Sequence, residues 1–210
     1  QSVQKQEVVS PITSSLPTTD LSVQIENYDN AWDVSNSSSS INYLETGQEV
    51  QVEYGYELND GTIYWMDGCK CLLSSWKANS QQMSFSAEDR LATLTDTYYG
   101  GELYSNGINL YDLALLVLND AGVDDRDYLL DSYLEDITVY NPLPAVTHAE
   151  CLQIIANCAR CKLYTDRQGR ICIAPGFEME IDPGRMIIST DDATDFSDIR
   201  SVLDNINQID

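Results

Sequence analysis

Leu-Ser-Val-Gln-Ile-Glu-Asn, residues 21–27, alternates apolar and polar side chains without error. It opens the stretch that decides the fold, Leu21 to Leu94. A period of two sets Leu21, Val23 and Ile25 on one face of a strand and leaves Ser22, Gln24 and Glu26 in water. Val50 to Leu58 keeps the rhythm through Val50, Val52, Tyr54, Tyr56 and Leu58. Asn59-Asp60-Gly61 then supplies residues that tolerate positive φ, as a tight hairpin turn needs. The return strand runs from Thr62 to Asp67 and on past Gly68 through Cys69, Cys71 and Leu73 to Trp76. A further strand carries Met83, Phe85 and Ala87. Ser86 with Asp89 three residues on reads as a capping box for a short helix over Arg90 to Leu94. The stretch predicts antiparallel β-structure closed by that helix.

Upstream, residues 1–20 hold one apolar patch, Val8-Val9, among prolines, serines and threonines, and read as a polar connector with at most an edge strand. Between the first two strands lies a loop with a serine run at 37–40. Asp29, Asn30, Asp33 and Asn36 in it could offer oxygens to calcium. They lack the EF-hand order and the closing glutamate, and turn chemistry explains Asn and Asp there as well.

Beyond Leu94 the period changes. Tyr98-Tyr-Gly-Gly101 reads as a linker. Asn109 caps a helix to Ala121 with Leu110, Leu113, Ala114, Val117 and Ala121 on one face, and Gly122 suits the left-handed position after it. Tyr128 to Tyr140 is ambiguous between a short strand and irregular structure. Thr147-His-Ala-Glu150 is a capping box, with Val146 placed to staple Cys151, for a helix reaching about Arg160. Lys162–Thr165 and Arg170–Ala174 flank Asp166-Arg-Gln-Gly169 as a β-hairpin. Ile187-Ile188 and Ile199, Val202, Leu203 and Ile206 suggest a last strand and helix. The expected fold is therefore α+β, in three parts. An antiparallel β-barrel or sandwich spans 1–97. A smaller domain of two helices and a hairpin spans 98–185. An acidic segment, 186–210, leads into a missing part of a longer chain.

Composition narrows the function. With 43% apolar and 21% charged residues the chain is globular. Its net charge of −23 repels phosphate, which argues against specific nucleic-acid binding or an anionic membrane surface. That charge serves solubility, or a surface that meets a basic partner or cations. No stretch approaches the about 20 apolar residues of a membrane helix, so no membrane insertion is expected. Cys69 and Cys71 share a strand face, where a disulfide is geometrically poor. Cys151, Cys158, Cys161 and Cys172 include one CxxC and read either as buried thiols or as a four-thiolate zinc site.

No catalytic signature is present. His148 is the only histidine, there is no HExxH, Walker loop or serine elbow, and 34 acidic residues select no glycosidase pair. Asp89 is the acid of most interest, and capping explains it. No enzyme is expected, and no catalytic, cofactor or metal residue is assigned. Trp32, Trp65 and Trp76 with thirteen tyrosines keep a carbohydrate-binding or adhesion module open as the alternative. Trp65 and Trp76 nevertheless lie in strand patterns that core packing explains.

The spaced residues Ser10-Pro11, Leu16-Pro17, Leu21-x-Val-x-Ile25-x-Asn27, Leu44-x-x-Gly47-Gln48-x-Val50, Gly61-x-x-Tyr64, Gly68 and Ala87-x-Asp89-Arg90-Leu91 resemble phage tail-hub (baseplate-hub) proteins. The resemblance covers roughly residues 10–175 and extends to the hairpin ending in Pro175. It implies a virion structural protein of a phage or prophage, assembled in the bacterial host cytoplasm. It also implies a homo-oligomeric ring, a trimer, at the tail tip that closes the tube. Tube, distal-tail and tape-measure proteins would be its partners, and the ring would have an acidic lumen.

Overall fold

Alternation in the sequence becomes a sheet whose register can be traced pair by pair. The computed structural model describes residues 2–9, 15–28, 31–33 and 35–176. The strand and helix expected after Pro183 lie outside the described residues, as do Asp29 and Asn30. Five strands, β1 (Ser2–Val8), β2 (Thr18–Glu26), β3 (Glu49–Glu57), β4 (Ile63–Ala78) and β5 (Gln82–Glu88), form one antiparallel sheet. The order is β1-β2-β5-β4-β3, and the sheet is curled as a half-barrel. Leu21 faces Ala87 and Val23 faces Phe85 across β2 and β5, while Val50 faces Cys71 and Val52 faces Cys69 across β3 and β4. These residues and Ile25 make the apolar face of the sheet.

Two irregularities shape β4. The register shifts after Val52, where Gly68 is the extra residue, and again between Leu73 and Ser75. Such bulges bend a strand and deepen its twist. Gly68 is required by space, since a Cβ there would lie 2.9 Å from the Val52 carbonyl oxygen.

The exit from the sheet differs from the sequence expectation. Ser86 stays in β5, paired with Ser22, and does not cap. Asp89 is the N-cap instead, and it starts a 3-10 turn over Arg90–Thr93 in place of an α-helix. Asp89 is 1% exposed. One carboxylate oxygen accepts from the Thr19 N–H at 2.7 Å, the other from the Ala92 N–H at 3.1 Å, and the Asp89 N–H donates to the Thr19 carbonyl at 3.0 Å. A long-range tie to β2 outcompetes the local box.

The turn carries Leu91 and Leu94 into a second, larger core. There α1 (Leu110–Asp120), capped by Asn109, buries Leu110, Leu113, Ala114, Val117 and Leu118. A two-stranded piece, β6 (Ile108–Asn109) with β8 (Thr138–Val139), frames its start. β7 (Tyr128–Leu130) and a 3-10 turn over Ser132–Asp136 resolve the ambiguous segment between Tyr128 and Tyr140. α2 (His148–Cys158) has the expected capping box, with the Thr147 N–H donating to Glu150 at 2.9 Å and the Glu150 N–H donating to the Thr147 hydroxyl at 3.2 Å. It ends before Arg160, which takes a positive φ of 56°. The hairpin is present as β9 (Cys161–Thr165) and β10 (Ile171–Pro175). β10 also pairs in parallel with β7, a partner far upstream that no local pattern announced.

Sheet and helical layer meet at a polar seam within residues 1–176, which form one compact unit. The Arg90 guanidinium lies 3.2 Å from Asp127 and 3.8 Å from Glu49, and Lys70 lies 2.7 Å from Glu49. Gln168 donates to Asp67 at 3.1 Å.

Burial pushes the Asp89 carboxyl above the ordinary aspartate value, against the backbone N–H groups of Ala92 and Thr19, which favour its charged form. A carboxyl with a raised folded pKa contributes stability that is complete below its unfolded pKa and declines as pH rises through the folded value. Asp89→Ala is expected to cost about 2 kcal/mol at neutral pH, from the lost cap and the buried Thr19 N–H left without its carboxylate. In denaturant titrations at a series of pH values the difference from wild type should grow toward acid. A cost under about 0.5 kcal/mol would show that the tie is replaceable.

Candidate functional site

The sheet's strands differ in length, and the excess forms a run of exposed apolar side chains. β5 pairs with β4 only from Leu72 to Ala78. From Ile63 to Cys71, β4 has β3 alone beside it. Cys69 and Cys71 still sit in the sheet's apolar cluster, but beyond Gly68 the ribbon has no layer over either face and its apolar side chains end in water. Tyr56 is 70% exposed, Tyr64 63% and Trp65 64%, and Tyr54, Leu58, Ile63 and Met66 are exposed too. The register sets Tyr54 opposite Met66 and Tyr56 opposite Tyr64 on the face that continues from Val52. On the other face Gly55 stands opposite Trp65, with Glu53 and Glu57 on either side along β3. The indole lies over Gly55, where a Cβ would be 2.9 Å from the ring. Gly61, with φ of 83°, closes the turn, and the Thr62 N–H donates to Asp60 at 2.9 Å.

This placement overturns one expectation. Trp65 is not a core residue. A strict period of two would put Trp65 on the face of Cys69 and Cys71, but the extra residue at Gly68 reverses the alternation and turns it to the face of Glu53 and Glu57. Trp76, by contrast, stands opposite Phe85 and is half-buried.

The other candidates among the described residues are held by structural contacts. His148 is 4% exposed, its Nε2 lies 2.8 Å from the Asp120 carboxylate, and its ring meets Tyr98 edge-on at 5.9 Å. It ties the start of α2 to the end of α1. Asp33 accepts from the Ser35 N–H at 2.8 Å and hydroxyl at 2.7 Å, and these bonds hold its carboxyl below the usual value. Asn36 accepts from Ser38, so both are turn residues. Asn27 is buried, donating to the Asn79 carbonyl at 2.7 Å and accepting from the Trp32 N–H at 3.0 Å.

The four C-terminal cysteines do not converge. Cys161 stands opposite Pro175 and Cys172 opposite Tyr164, which puts them on opposite faces of the hairpin. Among the described residues no three His, Cys, Asp or Glu side chains gather as a metal site. All six thiols are free and only Cys158 is exposed. Burial pushes Cys71 up to about 12, with Cys69 beside it adding to the shift, and pushes Cys151, Cys161 and Cys172 up to about 11.

Clefts also open on the described surface. One of about 390 Å³ between α1, α2 and the 139–144 segment is lined by aliphatic residues such as Leu113, Pro142 and Ile154. Another, about 530 Å³, is the polar seam of Glu49, Lys70, Arg126, Asp127, Gln168 and Arg170. Among the described residues no helix is long and apolar enough to cross a membrane.

No family model and no curated protein matches the chain. It is similar to the solved 43 kDa tail protein of prophage MuSo2 from Shewanella oneidensis, at 15% identity and a TM-score of 0.47 over 83% of this chain and 49% of that one. It is also similar to a tail protein from Neisseria meningitidis MC58, at 14% identity and a TM-score of 0.48 over 80% of this chain and 44% of that one. The chain thus spans about half the length of either structure.

Two measurements test this anatomy. Trp65→Ser should leave the unfolding free energy within about 0.5 kcal/mol of wild type, whereas Leu118→Ala should lower it by 2 kcal/mol or more, roughly the range for a buried leucine. Brief alkylation of the native chain with iodoacetamide, read by peptide mass, should modify Cys158 alone. The other five should react only after unfolding, because a thiol must be both accessible and ionised.

Proposed function

We propose that this chain is a structural, non-enzymatic component of a phage tail tip, built like the baseplate hubs that its spaced residues resemble. In this reading several copies form a ring that closes the tail tube and joins it to tip proteins. The observation that supports it best is the projecting hairpin. A contiguous exposed apolar surface of this kind, rimmed by charge, serves contact with another macromolecule. Among the described residues, Asp33, Asn36, Asp89 and His148 are engaged in caps, turns and inter-element ties. Exposed Tyr56, Tyr64 and Trp65 also favour a second reading, a carbohydrate-binding module, since sugars stack on such rings.

Light scattering of the chain at several concentrations tests the ring. The expected mass is three times the 23.5 kDa chain, unchanged on dilution through the micromolar range. A strict monomer would overturn the ring and turn attention to a glycan screen.

A further inference from the structure

The hairpin offers more than apolar area, because its outer face has a pattern that selects a partner. Among the described residues β3 is the last strand of the sheet, so its outer N–H and C=O groups are open to another strand. Its side chains divide strictly. Val50, Val52, Tyr54 and Tyr56 share one face, and Glu49, Gln51, Glu53, Gly55 and Glu57 share the other. Glu49 is neutralised by Lys70 at 2.7 Å. Among the described residues Glu53, Glu57, Asp60 and Asp67 enter no ion pair, and no lysine or arginine occurs between Glu49 and Cys69. Gly55 leaves the space between Glu53 and Glu57 to the Trp65 ring. An indole flanked by two carboxylates attracts a cation twice, through the ring's negative face and through charge.

We infer that this outer face, Glu53–Trp65–Glu57, docks an extended basic strand of a different protein along the β3 edge. The inference rests on the tail-component reading and names the chemistry of one partner. Strand geometry sets its pattern. Glu53 and Glu57 are four residues apart, about 13 Å, so the partner presents lysine or arginine at every fourth position on one face. Its alternate face carries apolar residues toward Tyr54 and Tyr56. A second copy fits poorly. Antiparallel pairing of two β3 edges about Glu53 sets Glu53 against its counterpart and Glu49 against Glu57, and like charges directly opposite are destabilising. Nucleic acid is repelled by the same carboxylates.

The test uses the full 210-residue chain and two labelled nine-residue peptides. One is Lys-Val-Thr-Val-Lys-Val-Thr-Val-Lys, and the other has glutamate in place of each lysine. Fluorescence anisotropy should show saturable binding of the lysine peptide, about tenfold or more tighter than the glutamate peptide and weaker in added salt. Glu53→Lys with Glu57→Lys, both exposed, should invert the preference, and Trp65→Ser should weaken the lysine peptide several-fold. Light scattering should give the double variant the same mass as wild type. No preference for the lysine peptide, or a preference that survives charge reversal, would overturn the inference. So would a mass that falls on charge reversal, which would make a second copy the occupant. Displacement of the peptide by an N-acetylglucosamine hexamer would give the face to a sugar. A monomeric wild type that still binds the lysine peptide would remove the ring and leave the docking face standing.

Discussion

The buried carboxylate of Asp89 sets the layout of the chain. It stands where the sheet ends, taking the Thr19 N–H on one oxygen and the Ala92 N–H on the other. The first bond fixes β2 beside β5 over a separation of 70 residues, and the second starts the turn that leaves the sheet. Because that turn is a tight 3-10 turn, Leu91 and Leu94 emerge facing the helices and are buried with α1 and α2. The apolar set on the sheet side is small, with Leu21, Val23, Cys69, Cys71 and Ala87 as its buried cluster. A single open sheet covers little surface by itself, so its stability leans on the helical layer to which Asp89 and the Arg90 ion pairs join it.

Strand length then decides where the molecule is sticky. β4 has sixteen residues and β5 seven. The surplus extends the β3–β4 hairpin past its cover, and the bulge at Gly68 marks the place where the covered part ends. The same alternation that half-buries Val52 exposes Tyr54 and Tyr56, two and four residues later on the same face. A hairpin of two strands is marginal alone. This one is anchored through the long covered half of β4, which allows a projecting arm without a third strand.

Much of this layout was legible in the sequence, and the failures have a common cause. Period-two runs located β2, β3, β4 and β5, Asn109 and the Thr147–Glu150 box located both helices, and Asp166 to Gly169 located the last hairpin. All of these signals are local. What depended on a distant partner was not legible: the Thr19 bond that makes Asp89 and not Ser86 the cap, the parallel pairing of β7 with β10, and the bulge against β3 that turns Trp65 to the outer face. The arm did leave one trace in the sequence. Glu53, Glu57, Asp60 and Asp67 between Glu49 and Cys69 are acids that a core strand pair would not carry.

Charge is distributed as unevenly as apolar area, and for a related reason. The chain has eleven lysines and arginines against 34 acidic residues. Lys70, Arg90, Arg126 and Arg170 gather where the sheet meets the helical layer, paired with Glu49, Asp127, Asp124 and Asp166. Partly exposed pairs of this kind contribute little stability one by one. Their larger effect is to place scarce cations at the seam and leave the arm without any. Neutralisation of Glu53 and Glu57 must then come from solvent ions or from a neighbouring protein, and a neighbour that also covers Trp65 and Tyr56 satisfies both demands with one contact. Exposed aromatic rings are unfavourable in an isolated molecule while the carboxylates beside them are well hydrated, and together they describe the complement of a basic, half-apolar strand.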